Sequence, residues 1–215
     1  PMDEGYKRLH YCRYADDFAL GIIGSKQDAL VIQQQITDFL REHLQLVVAT
    51  EKSVVVPASK GAKFLGYWIG SYTGNRVVKT RRGTAHTTFR SIRERFQLKI
   101  PKERLATFCA VKGYGNYTMM TWKARNWLKC LSDAEIVLTY NAELRGFANY
   151  YALAHNAKRE LSKLAFLWGA SLLKTLAHKH RRSVQQTLQT LKTEMGLVLT
   201  VSGQEKTVSI PFFRL

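Results

Sequence analysis

Residues 9–23 read LHYCRYADDFALGII, two runs of aromatic and β-branched residues separated by Ala15-Asp16-Asp17. Such runs are typical of strands, and the short break between them predicts a tight hairpin with both acids at its tip. Two adjacent carboxylates repel each other, and Mg²⁺ would remove that repulsion because it prefers one or two carboxylates plus phosphate oxygens. The alternative is an ordinary surface turn, since aspartate is common in turns.

Residues 24–79 continue a mixed pattern of helix and strand. Ser25, with Asp28 three positions on, is a capping box that predicts the start of a helix. The apolar residues of this helix recur at intervals of three and four, which places them on one face: Ala29, Ile32, Ile36, Phe39, Leu40 and Leu44. Runs rich in strand-forming residues follow at 44–49, 53–56 and 62–69. Residues 1–79 are therefore predicted to be β-β-α-β-β-β, an α+β arrangement.

The charge of the chain limits its partners. Thirty-three Lys and Arg stand against sixteen Asp and Glu, a formal net charge of +17, so RNA, DNA or an anionic membrane surface are the candidates. A ribosomal protein or a secreted cationic toxin would carry similar charge. No stretch approaches the roughly 20 apolar residues that span a bilayer, so no membrane-spanning segment is expected, and nucleic acid rather than a membrane is the expected partner. The opening PMDEGYKRLH lacks the apolar region of a signal peptide, and we expect a fragment or one piece of a split protein.

The composition changes near residue 76, where a basic connector is predicted. It carries ten basic residues against two acidic ones: Arg76, Lys79, Arg81, Arg82, Arg90, Arg93, Arg95, Lys99, Lys102 and Arg104. Beyond it the periodicity is helical. Helices are predicted at about 102–111, at 117–130, from Ser132 with a capping box at Glu135, at 158–177, and from Ser183 to Gly196, with a hairpin over 197–213.

Cysteine, histidine and aromatic residues give weaker signals. Cys12, Cys109 and Cys130 lie far apart without metal-site spacing, so buried thiols are expected rather than zinc ligands or disulfides. Most aromatics of the helical half are expected in the core and a minority on bases or sugars: Tyr114, Tyr117, Trp122, Trp127, Tyr140, Tyr150, Tyr151 and Trp168. Contacts with phosphate or helix ends explain His155, His178 and His180 more simply than a metal does.

Three short motifs resemble the palm of reverse transcriptases, in the order of that family. Tyr14-Ala15-Asp16-Asp17 resembles the YADD metal-binding hairpin. Leu46–Val56, with Glu51-Lys52-Ser53, resembles the next palm motif. Phe64-Leu65-Gly66-Tyr67 resembles the hairpin that grips the primer. The three motifs lie within about sixty residues, and their order makes the resemblance much stronger than one motif alone.

Two later segments resemble the X domain of maturases: residues 144–156, LRGFANYYALAHN, and residues 171–180, SLLKTLAHKH. The chain is thus identified as a member of the group II intron-encoded reverse transcriptase/maturases. The resemblance implies an α+β fold, with the C-terminal part of a right-hand polymerase palm at 1–79. It also implies a helical thumb and X domain at 80–196 and a C-terminal hairpin or linker at 197–215.

The resemblance also implies function. Such a protein binds group II intron RNA to assist splicing and synthesises DNA on an RNA template from a DNA primer, with Mg²⁺ as cofactor. Asp16 and Asp17 would hold the metal, Lys52 would protonate pyrophosphate, and Phe64, Leu65, Gly66 and Tyr67 would hold the primer. The family's fingers and first catalytic aspartate are not in this sequence. The chain alone is therefore expected to be inactive and to need an N-terminal half, covalently attached or separate.

A splicing-only maturase without polymerase activity is the alternative. A bacterial cytoplasm is expected, with a mitochondrion or chloroplast as the other choice, and a homodimer is left open. The basic side chains are the best candidates for phosphate contacts because they release counterions. Arg81 and Arg82, beside Gly83, are predicted to lie in a loop. The RNA-binding candidates are Arg76, Lys79, Arg81, Arg82, Arg90, Arg93, Lys174, Lys179, His180, Arg181 and Arg182.

Overall fold

The computed structural model of the protein describes residues 5–49, 51, 53–71, 76–82, 85–91, 96–193, 196–202 and 207–211, with the backbone alone for 76–91 and 193–211. The chain divides after Gln97 into two compact units, residues 1–97 and 98–215. This division falls later in the chain than the predicted domain boundary at residue 79. The described part mixes five α-helices with small antiparallel sheets, which is compatible with the predicted α+β class.

The first unit opens with the predicted hairpin. Strands β1 (Arg8–Tyr14) and β2 (Asp17–Ile23) are antiparallel, with Tyr14 opposite Asp17. Ala15 takes the left-handed conformation (φ 50°) at the turn. A two-residue connection of this kind matches the twist of paired strands. The hairpin with both acids at its tip is confirmed.

Helix α1 (Lys26–Leu44) begins at the capping box of Ser25 and Asp28, as predicted, and ends at Gln45 in the left-handed conformation. The strands predicted at 44–49 and 53–56 are wrong, because Leu44 ends α1 and residues 45–49 and 53–56 form no regular structure. A strand needs a partner for its backbone groups, and residue composition does not supply one. Here the Gln33 side chain donates to the Ser53 carbonyl (3.2 Å) and holds this segment to α1.

The run predicted as one strand at 62–69 is a hairpin, in agreement with the resemblance of residues 64–67 to the primer-gripping hairpin. Strands β3 (Ala62–Phe64) and β4 (Tyr67–Ser71) pair through a turn in which Leu65 (φ 48°) and Gly66 (φ 75°) are both left-handed. Two such residues in succession define the type I′ turn. Leucine rarely adopts this conformation, so residue preferences alone do not predict a turn here.

The first part of the predicted basic connector is not irregular but forms a third hairpin. Strands β5 (Arg76–Arg82) and β6 (Ala85–Ser91) pair along their whole length, with Arg81 opposite His86. Strand β7 (Phe96–Lys99) follows. Val and Thr, which favour strands, are interspersed with the basic residues here.

The second unit is built on four helices, and its order of elements largely agrees with the prediction. Gly113 ends the first helix in the left-handed conformation, and Ser132 with Glu135 forms the predicted capping box of the next. The elements are α2 (Lys102–Lys112), β8 (Gly115–Asn116), β9 (Thr121–Trp122), α3 (Asp133–Tyr150), α4 (Ala157–Lys179), α5 (Val184–Leu191), β10 (Lys192–Thr193), β11 (Gly196–Ser202) and β12 (Thr207–Pro211).

Two predictions for the second unit need correction. The helix predicted over 117–130 is absent, since this segment forms β9, an irregular stretch and a short 3₁₀ turn, Asn126–Leu128. The helix that starts at Ser183 ends at Leu191 rather than near Gly196, because the chain there enters β10, which pairs with β11. The C-terminal hairpin is confirmed as β11–β12, and its connection lies outside the described residues.

The buried apolar core described by the structure lies in the second unit. Helices α3 and α4 bury apolar faces against each other. Trp168 of α4 donates from its indole nitrogen to the Tyr140 carbonyl of α3 (2.7 Å). By contrast, no residue of α1 is buried, and Phe39 and Leu44 of its apolar face are more than half exposed. The main core residues are Leu105, Cys109, Tyr114, Ile136, Val137, Tyr140, Leu144, Leu164, Leu167, Leu172 and Leu176.

Among the helices that the structure describes, none is long and apolar enough to cross a membrane.

Candidate catalytic hairpin and nucleic-acid interface

The tip of the β1–β2 hairpin presents two carboxylates to solvent. Asp16 and Asp17 are exposed, and neither side chain has a cation or hydrogen-bond donor among the described residues. Arg13, which could neutralise them, instead donates from Nε to the Ala15 carbonyl (2.8 Å) and braces the turn. Two unpartnered carboxylates side by side are chemically suited to a hard divalent cation such as Mg²⁺.

The tip does not form a complete ligand set by itself. In the part of the chain described, no three side chains of His, Cys, Asp or Glu come together as metal ligands. Mg²⁺ commonly takes one or two carboxylates and fills its remaining positions with water and phosphate oxygens. The pair therefore fits a shared metal site, to which a substrate or another part of the protein would contribute. Lys52, the predicted proton donor, lies outside the described residues.

The residues predicted to grip the primer form one tight turn. Phe64 ends β3, Leu65 and Gly66 make the turn, and Tyr67 begins β4. The neighbouring Trp68 donates from its indole nitrogen to the Lys60 carbonyl (3.2 Å). A Cβ at Gly61 would lie 2.4 Å from this indole, so glycine is required for the ring to pack over the backbone.

All but one of the predicted RNA-binding residues of the first unit lie in the β5–β6 hairpin. Arg76, Lys79, Arg81 and Arg82 belong to β5 and Arg90 belongs to β6. The predicted loop position of Arg81 and Arg82 is therefore wrong, because β5 continues through Arg82. Arg93 lies outside the described residues.

The basic residues near the end of α4 fall into two groups. Lys179 and His180 both contact Asp133 at the start of α3, at 2.8 and 2.7 Å. Burial opposes ionisation of Asp133, but the hydrogen bonds from Lys179 and His180 prevail and lower the pKa of its carboxyl. These two side chains already have an intramolecular partner, whereas Arg181 and Arg182 are exposed.

Lys174 completes the predicted RNA-binding set, and His155 and His178 are the remaining histidines considered above. Lys174 is half-buried on α4. His178 lies 3.4 Å from the Asn126 amide oxygen, and the His155 backbone N–H donates to the Leu98 carbonyl (2.8 Å).

The cysteines are free thiols. Only Cys109 is buried, which raises the pKa of its thiol to about 12. Cys12 and Cys130 are exposed, so the expected burial is wrong for these two.

Sequence reasoning missed a buried polar cluster between α3 and the segment before it. Arg125, only 4% exposed, forms a two-pronged ion pair with Glu143, and the Tyr114 hydroxyl donates to the same carboxylate (2.6 Å). Lys112 lies 3.2 Å from Glu143. Burial, and then the bond to Glu143, raise the pKa of the Tyr114 phenol. Arginine in a basic chain looks like a surface residue, so no local signal marked this one.

A second missed feature is an exposed aromatic pair. The rings of Trp122 on β9 and Phe166 on α4 meet edge to face, with centroids 5.8 Å apart. Trp122 was one of eight aromatics with no distinguishing mark. Phe166 lies off the apolar stripe of its helix, which runs through Leu161, Leu164, Trp168, Leu172 and Leu176. That second fact was an available signal, because an aromatic off the stripe faces solvent.

Comparison with known proteins defines the class. Residues 93–210, more than half of the chain, match the family model described as type II intron maturase. This chain therefore belongs to the type II intron maturase family, in agreement with the motif resemblance.

Relatives within this class span bacteria and eukaryotes. The group II intron-encoded protein LtrA of Lactococcus lactis subsp. cremoris is 33% identical over 88% of this chain and 32% of its own length. The putative COX1/OXI3 intron 1 protein of Saccharomyces cerevisiae is 31% identical over 91% of this chain and 24% of its own length. Maturase K of Disporum sessile is 27% identical over 71% of this chain and 31% of its own length. The chain thus spans at most about a third of these relatives.

Proposed function

We propose that this chain is the C-terminal part of a group II intron-encoded protein that binds intron RNA during splicing. In the complete protein it would also contribute to RNA-templated DNA synthesis. Residues 1–79 would form the end of the polymerase palm, 80–196 the thumb and X domain, and 197–215 a closing hairpin. The complete protein would act in a bacterial cytoplasm or in an organelle.

The observation that carries the polymerase part is the unpartnered pair Asp16 and Asp17 at an exposed, braced turn. A structural role would leave such acids with a partner, because uncompensated like charges repel. Bound Mg²⁺ would supply activation of a 3′-hydroxyl and neutralisation of phosphate charge. The hairpin would present both carboxylates to it, and the Leu65–Gly66 turn is a candidate to position the primer.

The first unit also carries apolar surface suited to further palm structure. An open cleft of about 310 Å³ lies between the β1–β2 hairpin and α1 and includes Leu9, Ile22 and Val31. Leu9 and Val31 are each nearly half exposed, which is costly for large apolar side chains. An N-terminal half of the protein is the partner that we propose for this cleft.

The proposal that the chain binds RNA rests on its net charge. With +17 formal charges, the chain would bind a polyanion and release counterions from it, which makes the affinity fall steeply with salt. Specificity for one intron would come from RNA shape and unpaired loops. A homodimer is a further arrangement compatible with this proposal.

The test is primer extension on an RNA template with Mg²⁺, by this chain alone and with the N-terminal half supplied in trans. The proposal expects DNA synthesis only when the N-terminal half is present, and its loss with Asp16→Asn. Intron RNA affinity measured on the same samples should be unchanged by that substitution. Synthesis that survives Asp16→Asn would overturn the catalytic role of the pair, and loss of RNA binding as well would make the acids structural.

A splicing-only maturase is the second candidate. It is favoured by the position of the core, because the buried residues of the described chain lie almost entirely within the maturase match at 93–210. Under this alternative the first unit is inherited scaffold. Salt-sensitive intron binding with no DNA synthesis in either arm of the experiment would select it.

A further inference from the structure

The pair of Trp122 and Phe166 is an apolar corner on the surface of the second unit. Trp122 is 40% exposed and Phe166 is 57% exposed, and their ring planes stand at 89° to each other. Met119, on the connection between β8 and β9, is 75% exposed. Exposed aromatic area of this kind is costly in a monomer unless a ligand covers it.

Backbone hydrogen bonds hold the corner rigid. Trp122 pairs with Gly115 across the β8–β9 ladder. The next residue, Lys123, donates its N–H to the Tyr114 carbonyl (2.8 Å) and accepts at its own carbonyl from Ser171 on α4 (2.6 Å). Two positions later, the Arg125 N–H donates to the Thr175 hydroxyl on α4 (2.9 Å). The segment that carries the indole is therefore fixed against α4 before any ligand binds. Binding would then cost little conformational entropy at this residue.

The helix face around Phe166 is basic. Positions 159, 163, 166, 170 and 174 differ by four, three, four and four residues, which places them on one face of α4. This face presents Arg159 and Lys163 on one side of the ring and Lys174 on the other. The helix contains a single acidic residue, Glu160. It is 2% exposed and engaged by the Tyr117 hydroxyl (2.8 Å) and by Arg159 (2.7 Å).

We propose that Trp122 and Phe166 form a stacking platform for an unpaired base of single-stranded RNA, with Lys163 and Lys174 on the adjacent phosphates. This inference rests on the proposed RNA-binding function and names the part of the RNA that this surface takes. A base stacked on one ring stands perpendicular to the other and meets it in the favourable edge-to-face arrangement. Aromatic surfaces beside a basic groove are the recurring solution for single strands, because every base has a stacking face.

The positive charge around Phe166 favours RNA over a protein as the partner of this surface. A protein that covered the two rings would also have to desolvate the cations flanking Phe166, and it would need its own carboxylates to compensate. A single strand brings the flat apolar surface and the negative charge together, spaced along one backbone. A duplex does not fit, since its bases are stacked inside and cannot reach an aromatic corner.

The test measures binding of the full chain to a short oligouridylate, to the same length of abasic ribose-phosphate backbone, and to duplex RNA. The variant is Trp122→Ala with Phe166→Ala, and the control is Leu138→Ala, an apolar residue of α3 that is 53% exposed. Circular dichroism and the Tm confirm that each variant is folded. The double variant should lose roughly five- to a hundredfold in affinity for oligouridylate. It should keep its affinity for the abasic strand and the duplex, and the salt slope should not change.

Lys163→Ala adds a second readout. This substitution should weaken binding to all three nucleic acids. It should also lower the slope of log affinity against log salt by about one unit, because it removes one phosphate contact. Equal oligouridylate affinity in wild type and double variant, with salt-dependent binding intact, would overturn the platform and leave the proposed function standing. No binding by the wild-type chain at all would overturn both. Loss of self-association in the double variant, with RNA affinity unchanged, would assign the corner to a second copy of this chain and likewise sink the inference.

Discussion

Arg125 and Glu143 form a two-pronged ion pair inside the second unit, with Nη1 to Oε2 at 2.8 Å and Nη2 to Oε1 at 3.2 Å. The guanidinium also lies over the rings of Tyr140 (4.7 Å) and Tyr114 (5.4 Å). Its Nε has no acceptor among the described residues. The pair joins α3 to the segment that carries Trp122, so this buried charge supports the surface at which we propose RNA contact.

Substitution of Arg125 by alanine should destabilise the second unit strongly. It leaves Glu143 largely buried without its main cation, and breaking a buried pair from one side costs about 3–5 kcal/mol. Arg125→Lys should recover only part of this loss, because lysine lacks the planar fork and the stacking surface. Urea denaturation followed by far-UV circular dichroism gives the change in midpoint. Arg41→Ala is the matched control, since it breaks the exposed pair with Asp38 and should cost at most about 1 kcal/mol. Similar midpoint shifts for Arg125→Ala and Arg41→Ala would contradict the structural role.

Asp133 should make the stability of the second unit depend on pH. Its partners hold the pKa of its carboxyl below the ordinary value. The contribution of the charged form is therefore complete above the unfolded pKa of about 4 and is lost as the pH falls through the folded pKa. The difference in Tm between wild type and Asp133→Asn should be largest near neutral pH and should close below about pH 4. Val137→Ala, a buried neighbour on α3 that does not titrate, should give a difference that stays constant with pH. Parallel curves for Asp133→Asn would show that Lys179 and His180 do not hold this carboxylate charged.

Neutralisation of the hairpin tip should leave the fold intact. Asp16 and Asp17 are exposed and have no partner among the described residues, so the double change to asparagine removes only mutual repulsion. The urea midpoint should stay within about 0.5 kcal/mol of wild type, as surface changes usually do. A clear loss of stability would show that the acids hold the turn, and the catalytic proposal would then lose its main support.

Arg81 and Arg82 should contribute to RNA affinity through charge alone. Their joint replacement by alanine should weaken intron RNA binding and lower the slope of log affinity against log salt by about one to two units. Lys26→Ala with Lys60→Ala removes the same charge from α1 and from the turn before β3, outside the proposed interface. An unchanged slope for the Arg81 and Arg82 variant, or an equal change in the control, would remove these residues from the proposed interface.

Local signals in the sequence predicted the structure correctly where the interacting residues are close together in the chain. The capping boxes at Ser25 and Ser132 set the starts of α1 and α3, because each hydroxyl bonds a backbone N–H three residues away. The hairpin at Ala15 follows from two strand-like runs and a two-residue connection. Strand segments were harder, since a strand needs partners that composition does not reveal. That is why 62–69 proved to be a hairpin and 53–56 no strand at all.

The sequence by itself determined the family, the charge, the helix starts and the acidic hairpin, because each depends on residues close together in the chain or on composition. Only the tertiary structure decided the segment 117–130, which has helical periodicity but becomes a short strand and a turn. Ser171 and Thr175, some fifty residues further on, bond the backbone of Lys123 and Arg125. Contacts at that separation override local preference, and they bury Arg125 and leave Trp122 on the surface beside Phe166. Whether a charged or aromatic residue is buried or exposed depends on the residues that pack against it.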